Sequence, residues 1–213
     1  RYLIFLDSDD KIIENSLEKV KKEIEKNKFP DLILGLYKKE NFPFSNKIYF
    51  NKIRKRSFIK KRNFLKNLYQ RQLTLDECWP FIVKRDFLRK KGIQFPDLNI
   101  NEDQIFSNNL ILASNGVLLL KEFFYFHKNT EKSLSKDFGI NRCLNYFTSI
   151  FLMAKIIDNY GNKNNYENYF ASVFNEIIKN FLNSYIISKD RKINKILSIY
   201  RKNKKYLNKL ILK

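Results

Sequence analysis

Tyr2-Leu3-Ile4-Phe5-Leu6-Asp7-Ser8-Asp9-Asp10 opens almost at the first residue of the chain and decides how the rest is read. Apolar and aromatic residues run directly into Asp7, Asp9 and Asp10. An unbroken apolar run of this kind reads as a strand buried on both faces, as parallel sheets use. Clustered acids at its end repel one another and are costly to desolvate unless something positive sits among them. A divalent cation is the simplest partner, because Mg²⁺ and Mn²⁺ take carboxylate oxygens together with substrate phosphates. The carboxyl end of a strand in an open α/β sheet is also where ligands bind. The same residues equally suit a solvated turn in which an Asp caps the next helix.

Downstream, Asn15 is placed to cap a helix, with Glu18 at the capping-box position. Ile13, Leu17, Val20 and Ile24 recur at helical spacing, and Phe29-Pro30 ends the run. Asp31 to Tyr37 is a second apolar strand, so the opening reads as a β-α-β unit and predicts an α/β fold. From Lys38 to Arg62 the aromatics Phe42, Phe44, Tyr49, Phe50 and Phe58 alternate with Lys and Arg. That pattern fits a single-stranded nucleic-acid groove, a flap over a phosphorylated or lipid-linked acceptor, or a solvated loop with a few core anchors.

A helix is expected over Phe58 to Leu73, with Phe64, Leu65, Leu68 and Tyr69 inward. Trp79, the only Trp, opens a short apolar run; it is a core aromatic by default and a sugar platform otherwise. Gly92 suits the position just after a helix. Glu102 and Asp103 head another helix, where its dipole favours acids. Gly116 to Phe126 reads as a long strand, followed by His127, the only His. Beyond Asn141, three amphipathic stripes follow: Leu144 to Ala154, Phe170 to Phe181 and Ile193 to Leu207.

The chain is long enough, at 213 residues, to bury a real core. Its hydrophobic content of 44% argues against disorder. A formal charge of +20 draws polyanions: nucleic acid, anionic lipid or phosphorylated sugars. Abundant Lys, Asn, Ile and Phe also match the bias of an AT-rich genome, which accounts for part of that charge. Cys78 and Cys143 make no disulfide framework or zinc site and suit a reducing cytoplasm. No apolar run approaches the length a spanning helix requires. The chain begins at Arg1 and enters a strand at once, which predicts that part of the domain precedes it.

Four segments in order resemble the family 2 glycosyltransferases, which have the GT-A fold. They are Phe5-Leu6-Asp7-Ser8-Asp9-Asp10 (an Asp-X-Asp motif), the Trp79 segment with Lys84-Arg85, Glu102-Asp103, and the last strand with the polar tail His127 to Ser135. The resemblance covers about residues 1 to 135. It implies a partial GT-A (Rossmann-like) mixed sheet flanked by helices over 1–135, then a basic helical region over 136–213. The half of the sheet that binds the nucleotide base in relatives is absent from the match. It further implies Mn²⁺ or Mg²⁺ on Asp7 and Asp9, with His127 completing the shell. Asp10 and Lys128 would meet the donor diphosphate, Glu102 and Trp79 the acceptor, and Asp103 would be the general base of an inverting transfer.

The implied partners are a nucleotide-sugar donor and a glycan or lipid-linked acceptor, with no specific nucleic acid. The implied location is the cytoplasm, peripheral at the inner face of the plasma membrane. Lys189 to Lys213 carries many cations against the single acid Asp190 and is expected to dock on anionic lipid. The competing reading is a basic module that binds nucleic acid or another polyanion without catalysis, its acids serving only as caps and turns.

Overall fold

The computed structural model describes residues 1–40, 57–128, 140–160 and 166–187, together with Ile196, Ser198, Ile199, Arg201 and Lys202. Phe42, Phe44, Tyr49 and Phe50, the tail from Asn129 to Ser135, and most of the basic stretch Lys189 to Lys213 lie outside these residues.

The two most apolar runs make the centre of the sheet. Leu32–Lys39 (β3) and Gly116–His127 (β6) lie side by side in parallel, with Ile33 opposite Leu118 and Leu34 opposite Leu119. Phe81–Lys84 (β5) pairs antiparallel with β3, and Tyr2–Ile4 (β1) pairs antiparallel with β5. On the other side, Lys11–Ile12 (β2) and Ser57–Lys60 (β4) both run antiparallel to β6. The order is β1-β5-β3-β6-β2 with β4 also on β6, a mixed sheet as expected. β1 and β3 run in the same direction with β5 between them, so the β-α-β reading holds with one antiparallel strand inserted.

Strand periodicity sorts the core into two layers. Leu32, Leu34 and Leu36 face one way and Ile33 and Tyr37 the other. The second face is covered by Ser16–Lys26 (α1), through Val20 and Ile24. The first carries the remaining helices: Lys61–Gln70 (α2), Arg85–Lys91 (α3), Glu102–Ala113 (α4), Ile140–Asn159 (α5) and Glu167–Ile187 (α6). Phe64 and Leu68 of α2, Leu110 of α4, Ile150 and Met153 of α5 and Val173 and Ile177 of α6 belong to one cluster with the sheet. Each such side chain, fully buried, contributes about 1.5–3 kcal/mol. Ile196, Ser198, Ile199, Arg201 and Lys202 are helical. Among the described residues no helix is long and apolar enough to cross a membrane.

Five sequence expectations change. β1 is not buried on both faces: it stands at the end of the strand order, Leu3 is 38% exposed, and Leu6 beyond it is 51% exposed. One of its sides opens on an 850 Å³ groove against α1, lined by Tyr2, Ile4, Val20, Ile24 and Phe29. Asn15 adopts a left-handed backbone with φ 57° and makes no side-chain cap, so the capping box does not form. Leu17 in the first turn of α1 is exposed. Phe58 lies in β4 rather than a helix, because the 57–60 segment pairs with β6 before the chain turns at Lys61; Tyr69 points outward.

Gly116 starts β6 where the chain crosses closely under β4. A Cβ there would stand 2.3 Å from the Ile59 carbonyl oxygen, main chain that cannot swing aside. Gly116→Ala is expected to cost about 1–3 kcal/mol, as overpacking of a filled core does. At about 2–4 °C per kcal/mol for this chain length, thermal unfolding should drop by several degrees. An unchanged Tm would contradict the close approach.

Candidate active site

The acids sit in the loop between β1 and β2, and β6 shapes that loop. The Tyr125 hydroxyl accepts from the Asp7 N–H at 3.3 Å and donates to Asp10 Oδ2 at 2.5 Å. The Asp10 N–H closes the turn onto the Asp7 carbonyl at 3.1 Å. Asp10 Oδ1 accepts the Lys128 N–H at 2.8 Å, and His127 Nδ1 lies 3.1 Å from Oδ2. The Asp10 side chain is wholly buried, 0% exposed, with its oxygens occupied by the chain itself. Asp10 was expected to face the donor; here it braces the loop from inside, while Asp7, Ser8 and Asp9 stay exposed.

Tyr125 and His127 project from the same side of β6, two residues apart. Both rings lie flat on the Trp79 indole, with centroids at 4.8 and 5.2 Å. Tyr37 meets the indole edge-on at 4.3 Å. Trp79 is 4% exposed, so the expected sugar platform is a buried plate that carries His127. The contact of Nδ1 with the Asp10 carboxylate fixes the orientation of the ring. The Lys128 side chain is exposed.

Asp103 arrives from α4. Asn101, in a left-handed conformation with φ 70°, turns the chain into the helix and places Glu102 and Asp103 in its first turn. The Cys78 N–H donates to Asp103 Oδ2 at 3.3 Å. Burial pushes the Asp103 carboxyl above its ordinary value, with the hydrogen bonds from Cys78 pulling the other way. Partial burial likewise raises Asp7, and the charges of Asp103, Asp10 and Asp9 add to it while His127 opposes. Glu102 is raised by burial, with Asp103 and Asp7 contributing. The structure thus gathers Asp7, Asp103 and Glu102, with Asp9 and His127 beside Asp7, into one negative neighbourhood. Several carboxyls held above their normal range in one place mark a candidate functional site.

Glu77 was not anticipated. It is raised by burial, and Lys39 opposes this from 3.6 Å away, the same ammonium lying 5.9 Å from the Trp79 ring centroid. Tyr125, which ties Asp7 to Asp10, was read only as a strand residue. The available signal was the alternation Tyr125-Phe126-His127 on a strand ending at the acids.

Among the described residues no three His, Cys, Asp or Glu side chains converge as a ready-made metal cage, and Asp7, Asp9 and His127 form no such triad. The donor chemistry suits a hard cation held in another way. Mg²⁺ and Mn²⁺ commonly take one or two carboxylates and draw their remaining ligands from phosphate and water. Exposed Asp7 and Asp9 offer that pair of oxygen donors, and the mutual repulsion around Asp7 is what a cation would relieve.

This mixed sheet, helices on both faces and acids at a strand end, constitutes a GT-A-like α/β fold. The crystal structure of S. aureus TarS 1–349 is similar: TM-score 0.58, 20% identity, covering 91% of this chain and 48% of that one. The chain therefore spans about half the length of that structure, and at this identity the likeness concerns the fold alone. No protein-family model matches the sequence, and no curated protein matches it.

Proposed function

We propose that the chain is the metal- and acceptor-side portion of a glycosyltransferase. The enzyme of which it is part moves a sugar from a nucleotide-sugar donor to a glycan or lipid-linked acceptor, with inversion at the anomeric carbon. The observation that carries this reading is the meeting of Asp7, beyond β1, with Asp103, at the head of α4, closely enough for the Asp103 charge to help raise the Asp7 carboxyl. The fold shared with TarS, a glycosyltransferase, supports the same class.

In this reading Asp103 is the general base, and its raised proton affinity suits it to take a hydroxyl proton. As the acceptor oxygen bonds to C1 from one side, the C1–phosphate oxygen bond breaks on the other and the nucleoside diphosphate leaves. Glu102, beside Asp103, orients the acceptor. Asp7 and Asp9 would hold Mn²⁺ or Mg²⁺, and the bound ion would supply Lewis-acid stabilisation of the leaving charge. His127, steadied by Asp10 and Trp79, and the exposed Lys128 face the same diphosphate. Asp10 itself keeps the loop in shape.

Binding separates this reading from a polyanion-binding module. Calorimetry with UDP, GDP, CDP and TDP in turn is expected to find one that binds with Mn²⁺ and is weakened at least about tenfold without it, the scale on which metal-site losses act. Asp9→Asn is expected to produce the same loss. Equal binding with and without Mn²⁺, indifferent to Asp9→Asn and falling steeply with salt, would sink the transferase reading in favour of polyanion binding.

A further inference from the structure

Three polar side chains on consecutive turns of α4 are buried: Gln104 at 3%, Ser107 at 0% and Asn108 at 1% exposure. Such groups are costly inside a protein unless each finds a partner. Here the partners lie in one short segment, Leu75 to Cys78. Gln104 Nε2 donates to Asp76 Oδ1 at 2.7 Å, and Ser107 Oγ donates to the Glu77 carbonyl at 2.9 Å. Asn108 Nδ2 donates to the Leu75 carbonyl at 3.4 Å and to the Gln104 carbonyl at 2.7 Å. The segment so fastened ends at Cys78, whose N–H points at Asp103.

The fastening continues into α6. Asn108 Oδ1 accepts from the Tyr169 hydroxyl at 2.9 Å, and Tyr169 is 1% exposed. Gln104 Nε2 also reaches Glu176 Oε2 of α6 at 3.4 Å. One amide on Asn108 therefore has both ends committed, one toward α6 and one toward the segment that presents Cys78. Gln104 Oε1 has no partner among the described residues, so it is the amide of Asn108, satisfied at both ends, that fixes the arrangement.

We propose that Asn108 and Tyr169 are positioning residues for Asp103: through them α6 holds the Cys78 N–H against the Asp103 carboxylate. The proposal rests on the reading of Asp103 as the base. It makes α6, in the region that the sequence sets apart as 136–213, part of the machinery that aims the carboxylate. An N–H donated to a carboxylate oxygen favours the ionised form, the form a base needs.

Tyr169→Phe removes one hydroxyl and keeps the ring in the core. In NMR spectra of the 213-residue chain, the Cys78 amide proton should move upfield and exchange about fivefold faster, the scale of one net hydrogen bond. Amides of β3 should stay put. In a nucleoside-diphosphate release assay kcat should fall by a similar factor with the donor KM unchanged, the pattern of a lost aim rather than lost binding. Ser172→Ala, which removes an α6 hydroxyl that donates to the Asn168 carbonyl of the same helix, is the control and should change neither. Should Tyr169→Phe fail to fold, Glu176→Ala unhooks α6 from Gln104 and is read by the same amide. A Cys78 amide that behaves as in the wild type in these variants would overturn the proposal. Transfer that survives Asp103→Asn would remove the base reading alone, while the amide still decides whether α6 holds Cys78.

Discussion

Asp103→Asn is expected to cut sugar transfer by about 10²–10⁴-fold, the range a general base contributes, while leaving the fold intact. Asn keeps an oxygen to accept the Cys78 N–H, so the head of α4 retains its contact. What it lacks is the capacity to take a proton. In the wild type the rate should rise with pH as Asp103 ionises, and burial places that rise above the range of an ordinary carboxylate. Stability moves in the opposite sense. The folded carboxyl holds its proton more tightly than the unfolded one, so its contribution is fully present below the unfolded value, about pH 3.9. That contribution is lost as pH climbs through the folded value. Asn is neutral throughout, so the variant should show a flatter dependence of stability on pH across this window. The rate of nucleoside-diphosphate release at saturating acceptor is the measurement. A variant retaining more than about a tenth of the wild-type rate would exclude Asp103 as base.

The largest loss of stability is expected from Asp10→Ala. It strands the Tyr125 hydroxyl, the Lys128 N–H and His127 at once, around a side chain that is 0% exposed. Removing one partner from a buried charged network costs about 3–5 kcal/mol. With about 2–4 °C per kcal/mol at this length, the Tm should fall by roughly 6–20 °C. Asp9→Ala, one residue earlier and exposed, should stay within about 0.5 kcal/mol of wild type. Thermal unfolding of the pair, followed by Trp79 fluorescence, reads the contrast directly. Equal stabilities would mean that Asp10 braces nothing.

Much of the sheet was legible because its strands are unbroken apolar runs. The run at 32–37 and the one from Gly116 are central wherever they occur, since only a covered strand can be apolar on both faces. The α3 boundary was legible for a local reason as well: Gly92 takes the left-handed conformation, φ 61°, that ends a helix. What was not legible depends on partners far along the chain. Nothing in Tyr2 to Leu6 says that, among the described residues, β5 alone pairs with it, and nothing around Phe58 says that the segment joins β6 as a strand. The site divides in the same way. Asp7, Asp9, Asp10 and Asp103 were picked out through motif resemblance, yet Asp-Ser-Asp-Asp does not reveal which carboxylate turns inward. Tyr125 makes that choice, 115 residues away. Glu77 and Lys39 escaped notice because an ion pair across a fold leaves no spacing in the sequence.

β6 is the strand on which β2, β3 and β4 all pair, and its far end closes the acid loop. That arrangement sets a timetable for biogenesis. A chain emerging from the ribosome can form α1 from its own neighbours, but Asp10 has no counterpart until Tyr125, His127 and Lys128 have been synthesised. Pairings of such long range pay their loop-closure entropy before they are rewarded, so they are slow to form. The acid loop is translated 115 residues ahead of the Tyr125 that braces it, and it takes its shape only once that strand has formed. Until then its carboxylates are ordinary solvated acids, and the nascent chain carries no partly built site.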